Sequence, residues 1–395
     1  MKKVWKSMDY SLLLPLVILC VLGVIMVYSA SSILAITKFA KLDLPSNYFF
    51  RKQLQALIMG GISLSFVMFI PFQVWRKRIV TVGICVGSII LLVLVLWLGT
   101  TANNAQAWVF GIQPVEFVKV GVIIVLARFF AKRQDTDTPV WHGSGGTVLF
   151  LLITLCLIYK QPDLGSALLI VGTVGIMFLC SGIRVDLWFK RIVLTSLIWG
   201  PLLFFIGKYG LTNIQKARFA TFIDPFADPQ GEGFQLINSF IGIASGGLDG
   251  RGLGNSIQKY GYLPEPHTDF IMTIISEELG FIGVAIILAC LLLIVIRSFR
   301  IAQKCENPFG SLVAIGIGSM IGVQTFVNLG GITGLLPLTG VPLPFISSGG
   351  SSLLANLIAM GILLNLGSYV KRQEKQQEQL NEKKQQGERH LVVVK

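Results

Sequence analysis

Asp269 stands where a polar, proline-stiffened segment from Tyr260 to Thr268 runs into a long apolar stretch, and Glu277 and Glu278 follow inside that stretch. Acids at membrane depth are costly and usually face a cavity or a partner rather than lipid. A carboxylate at such a boundary can bind a ligand or accept its proton. It can equally serve as a helix cap. Pro264 and Pro266 break the chain, and an Asp in the first turn offsets orphan amides and the helix dipole. The two roles are compatible, and the residues leave both open. Neighbouring helical positions diverge by about 100°, so Glu277 and Glu278 cannot share a face. At most one need look toward Asp269. The plainer reading of both is a structural ion pair or a carboxylate satisfied by nearby amides.

Glu116 and Lys119 lie three apart and so neighbour each other on one helical face. They can neutralise each other or contact a polar lipid headgroup. Lys216, Arg218, Arg251 and Lys259 make one long connection positive. Arg grips phosphate oxygens bidentately and Lys acts as a point charge; ordinary loop solvation is the alternative. The glycines at 250, 252 and 254 form no dinucleotide site, since no strand precedes them. The chain contains no Walker A sequence and no Gly-x-Ser-x-Gly elbow. His142, His267 and His390 are far apart, and no Cys/His spacing suggests zinc.

The elements that carry these residues are membrane helices. Of 395 residues 53% are hydrophobic and 13% charged, and the mean hydropathy is +0.72. Continuous apolar runs, not period-two alternation, exclude a transmembrane barrel and leave helices. Ten spans are expected, at 10–30, 53–72, 79–99, 113–131, 147–160, 164–182, 189–207, 268–296, 308–328 and 347–370. The predicted fold is all-α and polytopic, one membrane domain at 1–370 with a polar tail at 371–395. Basic clusters such as Arg76/Lys77/Arg78 and Arg297/Arg300/Lys304 mark alternate connections, which places them and both termini in the cytoplasm. The net charge of +13 then coats the inner leaflet. Dispersal of that charge between spans argues against nucleic-acid binding. The basic N-terminus with its apolar run is read as a retained first span, because the run is too long for a signal h-region. The six cysteines lie in or beside spans, so no disulfide is expected.

A long outer connection at 208–267 is expected to hold a short interfacial helix at 234–244, and long loops of this kind are commonly functional. A second irregular segment, Gly330–Ser352, is rich in Gly and Pro and fits near a membrane only where it lines a cavity or sits in protein. The tail from Lys371, rich in Lys, Glu and Gln, reads as a frayed helix or a disordered segment.

Several blocks carry a resemblance. They are Asn104-Ala-Gln-Ala-Trp108, Gln113-Pro-x-Glu116-x-x-Lys119, Gln161-Pro-Asp-Leu-Gly165, Leu263-Pro-Glu-x-His267-Thr-Asp269-Phe-Ile271, Glu277-Glu-Leu-Gly-Phe-Ile-Gly283 and Gly334 to Ser352. In this order, over nearly the whole chain, they resemble the SEDS proteins (shape, elongation, division and sporulation). Gln258-Lys-Tyr-Gly-Tyr-Leu-Pro-Glu265 is most similar to the division-type FtsW/SpoVE branch, with the RodA elongation branch as the alternative. Asn104 and Ala107 stand where the family usually has Gly and Arg, and Ser348 where Tyr is common.

The resemblance implies a ten-span peptidoglycan glycosyltransferase that polymerises Lipid II on the outer face of the plasma membrane. It implies a class B penicillin-binding transpeptidase as partner, with other division-complex membrane proteins at the septum. The family's essential acid falls on Asp269 and its outer-loop Trp on Trp108. Asp269 is then expected to act as general base for the acceptor sugar's 4-hydroxyl while undecaprenyl pyrophosphate leaves. Lys119, Lys216 and Arg218 are the candidate cations for that pyrophosphate, and a divalent cation (Mg or Mn) could share the task. Glu116, His267, Glu277 and Ser347, from the same blocks, complete the expected substrate contacts. Intramembrane acids and broken helices also suit a Lipid II flippase or other transporter, and a pure scaffold for the transpeptidase is a third reading.

Overall fold

A computed structural model describes residues 8–37, 45–102, 105–109, 111–136, 145–182, 213–231 and 233–393. The expected span 189–207, the start of the outer connection at 208–212, and Asn104 lie outside the described residues. The helices run α1 Tyr10–Thr37, α2 Tyr48–Phe69, α3 Arg78–Leu98, α4 Pro114–Thr136, α5 Gly145–Lys160, α6 Leu164–Leu179, α7 Asn213–Ile223, α8 Phe234–Ser245, α9 Ile271–Lys304, α10 Pro308–Ile332 and α11 Gly350–Val393. Every expected span other than 189–207 coincides with one of them. The expected interfacial helix is α8.

By length and composition, α1, α2, α3, α9, α10 and the part of α11 to Gln379 can cross a membrane. α5 and α6 are apolar but shorter. α4 is long enough, but Glu116, Lys119, Arg128, Lys132 and Arg133 dilute its apolar character. One feature departs from expectation. Thr100–Ala102 (β1) and Ala105–Trp108 (β2) pair as an antiparallel hairpin. Past 370, α11 continues to Val393, the helical one of the two readings of the tail, because Lys, Glu and Gln are good helix formers and no Gly or Pro intervenes near the boundary.

α10 is the hub, packed on α4, α6 and α9, while α11 packs mainly on α2. Lipid is as apolar as a side chain, so association of such helices rests on close packing and small residues. Gly316 accordingly faces Ile123 and Met177, and Gly318 faces Ser298. Asn307 starts α10 by accepting from Phe309 and Gly310 N–H at 3.0 and 3.3 Å, with Pro308 in the first turn. α9 starts beside Asp269. Its far end, at Arg297 and Lys304, pairs with Asp9 and Glu374, at 2.8 and 2.6 Å.

α9 is broken at Gly280, whose φ of 65° and ψ of −165° belong to a region open essentially to Gly alone. The segment 247–252 supplies hydrogen bonds at the break. Arg251 N–H donates to Glu277 O at 2.9 Å and Gly252 N–H to Glu278 O at 3.0 Å. Phe281 N–H donates to Gly247 O at 3.0 Å and Ile282 N–H to Leu248 O at 3.3 Å. The first two turns of α9 are thus a separate half-helix, with Asp269 ahead of its start.

Candidate active site

The segment between α10 and α11, residues 333–349, is the floor on which the polar blocks meet. Gly340, at φ +75°, approaches Asp269 so closely that a Cβ there would sit 3.5 Å from Oδ2. At Gly165 a Cβ would meet Val341 and the Thr339 carbonyl, and at Gly23 the Phe345 carbonyl, so three elements converge on this segment. Gln113 N–H donates to Ser351 Oγ at 2.9 Å, tying the hairpin's exit to the start of α11.

Hydrogen bonds lock the acid-bearing loop to this floor. Ser347 Oγ accepts from Leu343 N–H and donates to Thr268 O, at 2.8 and 2.7 Å. Ser348 N–H donates to His267 O at 2.8 Å. Asn328 Nδ2, from α10, donates to Asp269 O at 2.9 Å and to Val341 O at 2.8 Å. Gln324, one turn earlier, donates from Nε2 to Pro342 O at 2.8 Å. Phe345, a non-glycine residue at φ +66°, shows how tightly the segment is constrained.

Asp269 does not cap α9. The N-cap is Phe270, and no side chain caps the helix. Among the described residues no donor reaches the Asp269 carboxylate. The side chain keeps some accessible surface, yet protein surrounds it densely enough that burial dominates its ionisation. Burial lifts its pKa from 3.8 to about 7, the negative charge of Glu265 adds to the rise, and Arg218 on α7 opposes it. An unengaged carboxyl that exchanges its proton near neutrality is what a general base needs.

The other acids are occupied. Glu277 is buried and accepts from Ser256 Oγ at 2.5 Å, Ile257 N–H at 3.0 Å and Gln258 N–H at 3.2 Å, with Arg251 Nη1 3.6 Å away. Glu278, also buried, accepts from Ser29 Oγ at 2.7 Å and from Lys259 Nζ at 2.9 Å. Both therefore pin the 251–259 segment to α9. Glu277, expected among the substrate contacts, has both oxygens coordinated within the protein. Glu116 and Lys119 are both buried and neutralise each other, Nζ lying 2.9 Å from either carboxylate oxygen.

Of the expected site residues, the structure brings together Asp269, His267 and Ser347, with Arg218 acting electrostatically on the acid. His267 is buried and its ring lies 4.4 Å from that of Phe49. Trp108 ends β2, where its carbonyl accepts from Thr100 Oγ1 at 3.3 Å. Lys216 is exposed on α7 and, two positions from Arg218, points away from it. Gln324, Asn328, Glu265 and Gly340 were not singled out from sequence as site residues. The available signal was a pair of amides at i and i+4 in an otherwise apolar span, since polar side chains there seek partners.

The family model described as cell cycle protein (FtsW, RodA, SpoVE) matches residues 10–372. The chain is 45% identical over 381 residues to the probable peptidoglycan glycosyltransferase FtsW of Bacillus subtilis (strain 168), covering 95% of this chain and 94% of that protein. It is 38% identical to stage V sporulation protein E of the same organism, over 92% of this chain and 98% of the relative. Among solved structures, a chain of a peptidoglycan synthase complex superposes with a TM-score of 0.72 at 28% identity, covering 92% of this chain and 98% of that one. The rod shape determining protein RodA of Thermus thermophilus gives a TM-score of 0.65 at 26% identity, over 92% and 97% of the two chains. With its motifs in order, its helices in place and nearly its full length matched, this chain belongs to the FtsW/RodA/SpoVE family of membrane proteins.

Proposed function

We propose that this chain is a peptidoglycan glycosyltransferase of the division type, polymerising Lipid II at the outer face of the plasma membrane during septal wall synthesis. The observation that carries the reading is the contrast among the three acids of this stretch: Glu277 and Glu278 collect donors, whereas among the described residues no donor reaches the Asp269 carboxylate, which burial raises to about 7. In the proposed reaction the acceptor's 4-hydroxyl attacks the donor's anomeric carbon with inversion. Its proton passes to Asp269, the bond to undecaprenyl pyrophosphate breaks, and that group leaves with the electron pair. Arg218 is the cation best placed to oppose the leaving charge, with Lys216 on the same helix and Lys119 as further candidates; positive charge aimed at a leaving phosphate is a large catalytic term. His267 and Ser347 shape the acid's loop, and Trp108 offers an apolar face to the substrate. Among the described residues no group of three or more His, Cys, Asp or Glu could hold a metal ion; a divalent cation (Mg or Mn) held between the substrate's phosphates and one carboxylate needs no such group, and it would help to offset the leaving charge.

A class B penicillin-binding transpeptidase is the proposed partner, in keeping with the similarity to a chain of a peptidoglycan synthase complex. Both termini are read as cytoplasmic; the pairs of Asp9 with Arg297 and of Glu374 with Lys304, at the end of α9 far from Asp269, support that reading. Proteoliposomes carrying fluorescent Lipid II only in the outer leaflet test the reading. Glycan formed there, by the protein alone or with its transpeptidase, needs no flipping and is the expected result. Transfer of Lipid II across the bilayer without polymer would instead establish a flippase.

A further inference from the structure

We propose that Asn328 is a positioning residue for the glycosyl transfer, its side-chain amide fixing Asp269 against the floor segment. The inference rests on the reading of Asp269 as the base. Asn328 lies near the end of α10, buried, and its Nδ2 bridges two carbonyls that belong to different segments, Asp269 O at 2.9 Å and Val341 O at 2.8 Å. One NH2 group thereby sets the spacing between the acid's own backbone and the segment that holds Gly340 against its carboxylate. The amide orientation is fixed by these partners, because a flip would place Oδ1 against two carbonyl oxygens. Gln324 repeats the arrangement one turn away, donating to Pro342 O at 2.8 Å and to Ser352 Oγ at 3.4 Å. Two consecutive carbonyls, those of Val341 and Pro342, are thus held from the same helix, so α10 acts as a rigid rail for a floor that has no regular structure of its own.

The consequence concerns geometry and charge together. A general base transfers a proton efficiently only from a hydroxyl within hydrogen-bond reach, and a misplacement of about 1 Å can cost about a hundred-fold in rate. Releasing Asp269 O from α10 lets the carboxyl drift relative to the groups that set its ionisation, Glu265 on its own loop and Arg218 on α7. α10 and the segment 333–349 contribute no charged residue and no histidine, so nothing on those elements would compensate.

The test compares wild type, N328A and D269N as purified full-length proteins with fluorescent Lipid II, recording kcat, KM, the pH dependence of the rate and the thermal midpoint. N328A is expected to lower kcat by about ten-fold or more with KM changed by less than about three-fold, and to move the acidic limb of the rate–pH profile by about half a unit or more. An N328A rate equal to wild type overturns the inference. So does a lower rate with an unmoved pH limb, which would mean only fewer folded molecules. If N328A is not monodisperse, N328L, which keeps the volume and removes the donor without adding charge, carries the same comparison. D269N separates the two layers: full activity there removes the base and this inference with it, whereas an inactive D269N beside an unaffected N328A removes only the positioning role.

Discussion

Asp269, Glu277 and Glu278 are nearly the same chemical group, and their surroundings separate them. Glu277 and Glu278 collect donors from the 251–259 segment and from Ser29; Asp269 collects none among the described residues. The sequence located all three, and it left Asp269 balanced between helix cap and functional acid. The position of the N-cap at Phe270 removes the cap reading, because capping depends on a backbone angle that residue types do not specify. Two outcomes follow from its raised ionisation. As a base it must be deprotonated, so the polymerisation rate should rise with pH through about 7. Because the folded pKa lies above the unfolded 3.8, ionisation opposes folding: the cost is absent below about 4 and grows as pH rises to about 7. D269N should therefore raise the thermal midpoint by a few degrees at pH 8 and leave it unchanged at pH 4. Thermal scans of both proteins at the two pH values check this, and equal midpoints at pH 8 would contradict it.

Elements were legible to different degrees. Long apolar runs gave their helices within a few residues, as α3 and α10 show, since an uninterrupted span has few alternatives in a membrane. The β1–β2 hairpin escaped notice because its strands are short and its residues mixed. The break in α9 also escaped, although Gly280 was in view, because its missing helical bonds are replaced by a segment about thirty residues earlier in the chain, a long-range pairing that no local pattern encodes. Gly280 and Gly250 lie backbone to backbone: a Cβ at Gly280 would meet Gly250 N and Leu248 O, both at 2.4 Å. G280A should strain the backbone by about 1–3 kcal/mol before the clash is counted. A lowered thermal midpoint and lost polymerisation are expected, and a G280A protein as stable as wild type would show that the break is not needed.

On the scale of the whole molecule, charge and polarity are sorted between the two ends of the bundle. One end holds Asp269, the glycine- and proline-rich floor and the segment 247–268. The other holds the Asp9–Arg297 pair and the ties from Lys304 and Glu306 to α11. Such sorting suits a substrate with a polar head on one face of the bilayer and a tail within it. It was readable from basic clusters and apolar runs, whereas the convergence of distant blocks on residues 333–349 needed the packed helices. α11 is tied to the bundle beyond the membrane-length part of the helix by Glu374 to Lys304 and Gln373 to Glu306. Removing residues 380–395 should leave polymerisation by the purified protein within about two-fold of wild type, as surface changes generally do. A larger loss would assign that segment a part in catalysis.

In the proposed reaction one oxygen pair, on Asp269, accepts the proton of a sugar hydroxyl. Its most direct measurement is glycan formed from fluorescent Lipid II by purified D269N beside wild type, at pH 8 and below the melting temperature of both. Loss of positioned proton transfer should lower the rate by about a hundred- to ten-thousand-fold while the variant stays folded. Polymer of near-normal amount from D269N would take the carboxylate out of the chemistry.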